Sequence, residues 1–285
     1  MRKIFLPLAL GLLCWSSYSQ NAAFGQQYIG PEKGSLVIVG GAMQSNEILD
    51  RFIELAGGVD AKFVVIPTAG GQASYNDDFY FMKRMKDRGV SDVTLLHTRD
   101  PKEADTEDFA APLNEADGVW FTGGRQWRLV DAYMGTLTQE RIAQVLDRGG
   151  AIGGSSAGAT IQGTYLARGD TKTNQIMMGD HEEGFNYLKN SAIDQHVLAR
   201  NRQFDLFEII KAKPELLGIG IDENTAIVVQ GNEFEVIGEN YVLMYDGGFY
   251  SREGYDMKKL PEKSSLFYFL RAGDKYDLLN RKVKR

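Results

Sequence analysis

The chain has 285 residues, 43% of them hydrophobic, which is enough to bury a sizeable core. It carries 32 Lys and Arg against 38 Asp and Glu, a net charge of −6, and this balance argues against a nucleic-acid partner. The single cysteine, Cys14, excludes an internal disulfide and a metal site built from several thiolates. We expect one globular domain over residues 27–285.

The first twenty residues have the layout of a secretory signal peptide. Arg2 and Lys3 precede an apolar run from Ile4 to Trp15, and small residues follow, with a cleavage point after Ser19. The apolar run is too short to span a bilayer comfortably. We therefore expect a signal peptide over residues 1–19 and a mature protein that is secreted or periplasmic and not held in a membrane. An uncleaved membrane anchor is the alternative.

Strand-like apolar stretches alternate with stretches of helical spacing between residues 34 and 163. Residues 45–58 predict a helix with Ser45 at its N-cap and Gly57 at its end. This alternation predicts an α/β fold with a mainly parallel sheet covered by helices on both faces. The predicted strands are 34–43, 61–71, 92–98, 119–122 and the start of 151–163, and the other predicted helices are 75–89, 138–150 and the end of 151–163.

The later part of the chain, residues 218–250, is predicted to be rich in strands. The turns Gly231-Asn232 and Gly238-Glu239-Asn240 are typical of hairpins. We interpret this part as a β-rich C-terminal extension of the same sheet.

Four predicted strands end in glycine-rich loops, at residues 40–41, 70–71, 123–124 and 153–158. In a parallel sheet, the loops after the carboxyl ends of the strands form the binding crevice. The sequence therefore predicts that these four loops line the functional site.

Ser156 is the candidate nucleophile, because residues 154–158 have the G-x-S-x-G spacing of a strand-to-helix elbow. Small neighbours relieve crowding at such a turn, and the N–H of Ala157 points towards a developing oxyanion. The alternative is a Gly/Ser loop that turns the chain or binds phosphate. A dinucleotide site fits less well, since residues 40–42 lack G-x-G-x-x-G, and a Walker lysine is absent. We expect no cofactor.

A serine hydroxyl needs a base within hydrogen-bond reach, and the chain has three histidines, His97, His181 and His196. We favour His196, because it belongs to a polar set inserted into an apolar segment, which usually needs a reason. Asp170 lies between Ser156 and His196 in the chain and is the candidate acid that orients the imidazole. Its competitors are Asp180, Glu182 and Glu183.

Four segments, 121–126, 153–160, 192–205 and 218–229, closely resemble in order and spacing the cyanophycinase branch of the cyanophycinase and dipeptidase E family of serine peptidases. The resemblance covers roughly residues 34–229. It implies an α/β sandwich related to class I glutamine amidotransferases.

By the same resemblance Ser156 is the nucleophile and His196 the base, and the N–H groups of Gly124 and Ala157 form the oxyanion hole. Asp170 stays our choice of acid. Residues 222–226 are interpreted mainly as turn-forming and capping residues, with a substrate wall as the alternative. The implied substrate contacts are Gln126, Asp194, Gln195, Arg200 and Arg202.

Two positions depart from the cyanophycinase pattern. Asp205 stands where a third arginine is expected after Arg200 and Arg202, and Arg125 stands where an acid is expected. These charge reversals leave the proposed catalytic residues unchanged but argue against cyanophycin itself as the substrate.

The resulting interpretation is an exported serine peptidase that hydrolyses aspartyl or β-aspartyl peptide bonds through an acyl-enzyme. It needs no cofactor or metal, because the histidines and acids do not fall in a compact ligand pattern. Its partner is a peptide or isopeptide substrate with an aspartyl residue, and the interpretation allows for a homodimer. The alternatives are an esterase or amidase with the same triad, and a catalytically inactive binding protein on this fold.

Overall fold

The computed structural model describes residues 27–254 and 265–284. The predicted signal peptide lies outside the described residues. The larger of two sheets has nine strands in the order β14-β13-β10-β9-β1-β5-β4-β2-β3. Its strands are β1 (Ser35–Val39), β2 (Lys62–Ile66), β3 (Asp92–Leu95), β4 (Gly118–Phe121), β5 (Ala151–Ser155), β9 (Thr225–Gln230), β10 (Glu233–Gly238), β13 (Lys275–Asp277) and β14 (Lys282–Lys284).

The five strands β1, β5, β4, β2 and β3 run parallel to one another, and β9, β10, β13 and β14 add antiparallel pairs at one edge. All five residues of β1 are buried. A parallel strand with both faces covered reads as a continuous apolar run, which is why β1 shows no alternation of polar and apolar residues.

The second sheet has five strands in the order β12-β11-β8-β7-β6. Strands β6, β7 and β8 run parallel, and β11 and β12 are antiparallel. Its strands are β6 (Gly163–Tyr165), β7 (Leu188–Gln195), β8 (Leu217–Ile221), β11 (Tyr241–Tyr245) and β12 (Tyr268–Arg271).

The helices follow the expected start signals. Ser45 caps α1 by accepting from the N–H of Glu47, and Thr136 caps α6 by accepting from that of Gln139. The helices are α1 (Asn46–Leu55), α2 (Tyr80–Asp87), α3 (Pro101–Ala104), α4 (Glu107–Ala110), α5 (Trp127–Tyr133), α6 (Leu137–Asp147), α7 (Ala157–Thr160) and α8 (Leu206–Ala212), with a 3₁₀ turn at Ala111–Asn114.

Different partners cover the two faces of the larger sheet. Helices α1 and α2 pack on one face, where Phe52 and Phe81 contact Trp120 of β4. On the other face, α5, α6 and the second sheet share one apolar cluster, in which Ile38 of β1 and Ile219 of β8 are both fully buried. The predicted α/β architecture is confirmed.

The C-terminal strands correct one expectation. The turn at residues 231–232 does join β9 and β10 as a hairpin of the larger sheet. The turn at 238–240 instead carries the chain to β11 in the second sheet, where β11 pairs with β8 and β12. The extension therefore contributes strands to both sheets. The chain leaves the larger sheet at Gly238, which has φ 99° and packs so closely on the Asn224 carbonyl that a Cβ would overlap it. Within the described residues, no helix is both long enough and apolar enough to cross a membrane.

Candidate active site

Ser156 occupies a strained turn between β5 and α7. Its φ and ψ are 58° and −110°, a conformation that residues with a side chain rarely adopt. A Cβ on Gly154 would overlap the carbonyl of Gly158, and one on Gly158 would overlap that of Phe121. Both glycines of the G-x-S-x-G segment are therefore required by close backbone approach, as expected for a nucleophile elbow.

His196 lies directly beside this serine. Its Nε2 is 2.9 Å from Ser156 Oγ. The end of β1 holds both residues, because Val39 accepts a hydrogen bond from the Ser156 N–H at 3.0 Å and Gly40 accepts one from the His196 N–H at 2.9 Å. The structure thus brings together two residues that are 40 positions apart in the sequence.

Glu223 contacts the other side of the imidazole, with its Oε1 2.6 Å from His196 Nδ1. The Glu223 carbonyl accepts hydrogen bonds from Thr225 Oγ1 at 3.2 Å and Asn240 Nδ2 at 2.8 Å, which fix its backbone. Ser156, His196 and Glu223 therefore form an unbroken hydrogen-bonded chain with the geometry of a serine-hydrolase triad.

Asp170 is not the residue that contacts His196, and this corrects the predicted acid. Its Oδ1 accepts from the N–H groups of Lys172 and Thr173 at 2.9 and 2.8 Å, which closes a tight turn. The Asp170 side chain is buried, and its hydrogen bonds to these backbone N–H groups hold it in its own loop.

The neighbours of Glu223 hold two remote loops in place, beyond the local turn-forming role expected for residues 222–226. Asp222 Oδ1 accepts from the N–H groups of Leu198 and Ala199 at 3.0 and 2.9 Å, just after His196. Asn224 Oδ1 accepts from the N–H groups of residues 44 and 45 at 2.8 and 2.7 Å. These bonds tie the loop after β1 and the turn after His196 to the segment that carries Glu223.

Gly41 packs directly against the imidazole ring of His196. It has φ 128°, and a Cβ placed there would overlap the His196 ring atoms. Only glycine fits this position, since both the backbone conformation and the contact exclude a side chain.

Burial lowers the pKa of His196, its hydrogen bond to the Glu223 carboxylate raises that pKa, and the positive charges of Arg200 and Arg202 lower it further. The net direction is downward, so the imidazole is neutral at neutral pH. A neutral imidazole whose Nδ1 proton is held by a carboxylate presents a free lone pair on Nε2. This is the form that accepts a proton from a serine.

A cleft of about 360 Å³ opens over Ser156 and His196. A neighbouring pocket of about 430 Å³, built from residues 72–80, shares Tyr80 with it. The cleft is lined by Ala42, Met43, Gln44, Tyr80, Phe81, Arg84, Trp120, Gly123, Ser155, Ser156, His196 and Arg200.

Of the five implied substrate contacts, Arg200 borders this cleft. The others are buried and hydrogen bonded inside the protein: Gln126 Nε2 donates to the carbonyls of residues 167 and 168 at 2.7 and 2.9 Å, and Arg202 donates to Gln195 Oε1 at 3.2 Å. Asp194 is fully buried and pairs with an arginine that the sequence analysis did not single out.

That arginine is Arg168, a fully buried cation. It donates to both oxygens of Asp194, from Nε at 2.8 Å and Nη2 at 3.0 Å, and to Asp205 Oδ2 at 2.5 Å. Burial alone would lower the pKa of Arg168, but the two carboxylates outweigh it and raise the pKa. The negative charge of Asp205 is therefore paired with the buried guanidinium of Arg168.

The two predicted oxyanion donors belong to two segments next to Ser156. Ala157 is the first residue of α7, a position whose N–H has no acceptor within the helix. Gly124 follows Gly123, where a Cβ would lie 3.4 Å from that of Ser156. The peptide between Gly123 and Gly124 thus borders the serine.

The other two histidines lie elsewhere. His97 Nδ1 is 2.8 Å from Thr68 Oγ1, and His181 Nε2 is 2.8 Å from Asp131 Oδ1. Neither has a hydrogen bond to Ser156.

The model of peptidase family S51 matches residues 36–237. The chain belongs to peptidase family S51. It is 32% identical over 270 residues to a cyanophycinase of Geminocystis herdmanii (strain PCC 6308), covering 90% of this chain and 96% of that one. It is 31% identical over 268 residues to a cyanophycinase of Synechococcus elongatus, covering 88% and 81%. The crystal structure of a peptidase from an acI-B1 Actinobacterium is similar with a TM-score of 0.64 at 26% identity, over 87% of this chain and 98% of that one.

As a member of family S51, the protein is a hydrolase acting on peptide bonds. In the parts of this S51 peptidase that the structure describes, no group of three or more His, Cys, Asp or Glu side chains is arranged to hold a metal ion.

Glu223 was not predicted as the partner of His196, although one signal in the order of the elements pointed to it. Strand β7, helix α8 and strand β8 form a strand-helix-strand unit, and such units place their two strands side by side and parallel. In the S51 peptidase Gln195 pairs with Ile221, and these are the last residues of β7 and β8. His196 and the acids at 222 and 223 therefore follow neighbouring strands at the same end of the second sheet.

Proposed function

We propose that this protein is an exported serine peptidase that hydrolyses aspartyl or β-aspartyl peptide bonds through Ser156, His196 and Glu223. The observation that carries the proposal is the hydrogen-bonded chain from Ser156 Oγ through His196 to Glu223, at 2.9 and 2.6 Å, on a strained elbow. A hydroxyl, a neutral imidazole and a carboxylate in this order are the parts that acyl transfer needs.

In the proposed reaction, Ser156 attacks the scissile carbonyl while His196 Nε2 takes the hydroxyl proton. Glu223 stabilises the imidazolium that forms. The N–H groups of Ala157 and Gly124 bind the oxyanion, and each such donor contributes about 3 kcal/mol in comparable sites. His196 then protonates the leaving amine, and water repeats the sequence to release the acid and free the serine.

The positive charge beside the imidazole supports an acidic substrate. Arg200 borders the cleft, and Arg200 and Arg202 both act on the His196 pKa, so the field at the site favours an anion. Arg200 is exposed and has no salt bridge within the described residues, which leaves its guanidinium free to bind a substrate carboxylate. Arg202, which holds Gln195, acts through its charge.

The basic and apolar residues 1–19 are the basis for proposing export. Protein recovered from the producing cell is expected to begin at Gln20 when its N-terminus is sequenced. A mature N-terminus at residue 1 would refute the export proposal.

The test of the function compares the mature protein with its S156A variant on β-aspartyl dipeptides, α-aspartyl peptides and aryl esters. We expect hydrolysis of an aspartyl peptide by the wild-type protein and its loss in S156A, with unchanged thermal unfolding. S155A is the matched control, since Ser155 lines the same cleft but lacks the contact to His196. Hydrolysis of esters alone would indicate an esterase, and unchanged peptide hydrolysis by S156A would refute the assignment of the nucleophile.

A further inference from the structure

Three arginines, Arg99, Arg125 and Arg128, surround the loop after β2. Arg125 N–H and Arg128 Nη1 both donate to the Ala69 carbonyl, at 2.8 and 3.0 Å. Arg99 Nη2 donates to the carbonyls of Gly70 and Gln72, at 3.4 and 2.7 Å. The guanidinium groups of Arg99 and Arg128 are thus held at residues 69–72, while Arg125 binds this loop through its backbone N–H. We call these three residues the arginine cluster.

The arginine cluster has no counter-ion. None of its members forms a salt bridge with any carboxylate in the described part of the chain. Arg125 Nη2 donates to the Asp170 carbonyl at 2.5 Å, while its buried Nε has no hydrogen-bond partner among the described residues. Burial lowers the pKa of Arg128, and the charges of Arg99 and Arg125 lower it further. Three mutually repelling cations held by a few carbonyls leave most of their N–H donors unused.

The strand order places the cluster on one defined side of Ser156. Ser156 follows β5, and the loops after β4, β2 and β3 lie on the side of β5 that carries Arg125, Ala69 and Arg99. His196 and Arg200 lie on the other side, where β1 and its loop hold the imidazole. The site therefore has Arg84 and Arg200 on the β1 side of the nucleophile, where Arg84 donates to the carbonyls of residues 43–45, and the arginine cluster on the β4 side.

The cleft and the pocket next to it connect the cluster to the serine. Gly123, two residues before Arg125, borders Ser156. Gln72, whose carbonyl binds Arg99, lines the neighbouring pocket, and that pocket meets the cleft at Tyr80. None of the three arginines lines the cleft, but a peptide that spans the cleft and this pocket reaches Gln72 in the loop that binds Arg99.

We propose that the arginine cluster binds a second carboxylate of the peptide substrate, so that the preferred substrate carries one carboxylate on each side of the scissile bond. This inference rests on the proposed function, because it takes Ser156 as the point of attack. The second carboxylate comes from an acidic side chain or from a free C-terminus, and both present the same planar anion to a guanidinium. A substrate with arginine at this position is disfavoured, because it would add a fourth positive charge.

The test measures binding by calorimetry to the S156A protein, so that intact dipeptides are compared without turnover. The probes are β-aspartyl-glutamate, β-aspartyl-arginine and β-aspartyl-glutamine amide, which lacks both carboxylates on that side. We expect β-aspartyl-glutamate to bind most tightly, and R125M in the S156A background to weaken its binding by about 10- to 150-fold, the range for a hydrogen bond to a charged group. Binding of the amide should change little.

Two further dipeptides distinguish the sources of the carboxylate. If β-aspartyl-glutamine binds more weakly than β-aspartyl-glutamate, the cluster binds the side-chain carboxylate. If the α-amide of β-aspartyl-glutamate binds more weakly, the cluster binds the C-terminal carboxylate. The control variant is R148M, because Arg148 also donates to two backbone carbonyls, at 2.9 and 3.0 Å. It precedes β5 and so lies at the amino ends of the parallel strands, away from Ser156. R148M should bind all probes as the parent does.

Equal or tighter binding of β-aspartyl-arginine would overturn the inference, as would an R125M variant that weakens the charged and neutral probes equally. These outcomes are separable from failure of the proposed function. If hydrolysis depends on Ser156 but no acidic preference exists, the inference fails alone. If S156A binds β-aspartyl-glutamate in an Arg125-dependent way and the wild-type protein cleaves no peptide, the proposed function fails alone.

Discussion

Removal of the Glu223 carboxylate tests the hydrogen-bonded chain at its newly identified end. A hydrogen bond to a charged group contributes about 1.5–3 kcal/mol. Since 1.4 kcal/mol is a factor of ten, E223A should lower kcat by roughly 10- to 150-fold. The Glu223 side chain is 32% exposed, so water partly replaces it. The loss should therefore stay below the roughly 10,000-fold found when a fully buried triad aspartate is neutralised.

E223Q should lose more activity than E223A. The amide nitrogen of a glutamine donates to His196 Nδ1 and so stabilises the tautomer whose proton faces Ser156. That tautomer cannot accept the hydroxyl proton. D170N is the matched control, because an asparagine oxygen still accepts from the N–H groups of residues 172 and 173. Its kcat should stay within about threefold of wild type, since it does not contact the imidazole.

The assay is kcat and kcat/KM on the best aspartyl peptide, measured across pH for wild type, E223A, E223Q and D170N. Because Glu223 raises the pKa of His196, its removal lowers that pKa. A base works in its neutral form, so activity falls as pH falls through the pKa, and the acid limb of E223A should move to lower pH. Wild-type kcat in E223Q, or a loss of kcat in D170N larger than that in E223A, would rule out Glu223 as the acid that orients His196.

Three more substitutions probe the surroundings of the triad. G41A should reduce kcat/KM by about 100-fold or more, because its Cβ would displace the His196 ring and a ~1 Å misplacement costs that much; steady-state kinetics check this. R200M should move the acid limb of kcat/KM to higher pH, because Arg200 lowers the pKa of His196, and pH profiles measure the shift. R168M should reduce the free energy of unfolding by about 3–5 kcal/mol in urea titrations, because it leaves Asp194 buried without its cation.

Each of these substitutions has a matched control. G58A also places a side chain at positive φ, but nothing lies within 4 Å of its Cβ, so it isolates backbone strain from the clash. R88M removes an arginine paired with Asp50 on the surface and should leave the pH profile unchanged. D205N removes the half-exposed partner of Arg168 and should destabilise less than R168M. Equal effects in a variant and its control would contradict the corresponding argument.

Local patterns made most of the parallel core predictable. The apolar run of β1 and the Ser45 cap of α1 are properties of a few adjacent residues, and they appear in the structure where the sequence predicts them. The path of the chain after residue 238 was not predictable in this way. The step from β10 to β11 depends on which sheet offers a free edge, and that is a property of the whole fold.

The candidate site divides in the same manner. Ser156 follows from its own spacing, and His196 follows from a polar set in an apolar segment. The acid depends on the pairing of β7 with β8, which joins residues separated by the intervening helix α8. Asp170 and Glu223 are both acids in turns, and only the tertiary pairing decides which one reaches the imidazole. Arg168 was missed because nothing in its local sequence marks a buried cation.

Covalent labelling tests most directly whether Ser156 is the nucleophile and His196 its base. The measured quantities are the labelled residue and the rate of labelling with and without His196. The mature protein is treated with a fluorophosphonate, digested, and mapped by mass spectrometry, alongside H196A and S155A. We expect one adduct on Ser156 in the wild-type and S155A proteins, with labelling at least about 100-fold slower in H196A, because general-base catalysis contributes that much. An adduct on Ser155, or equally fast labelling without His196, would contradict this expectation.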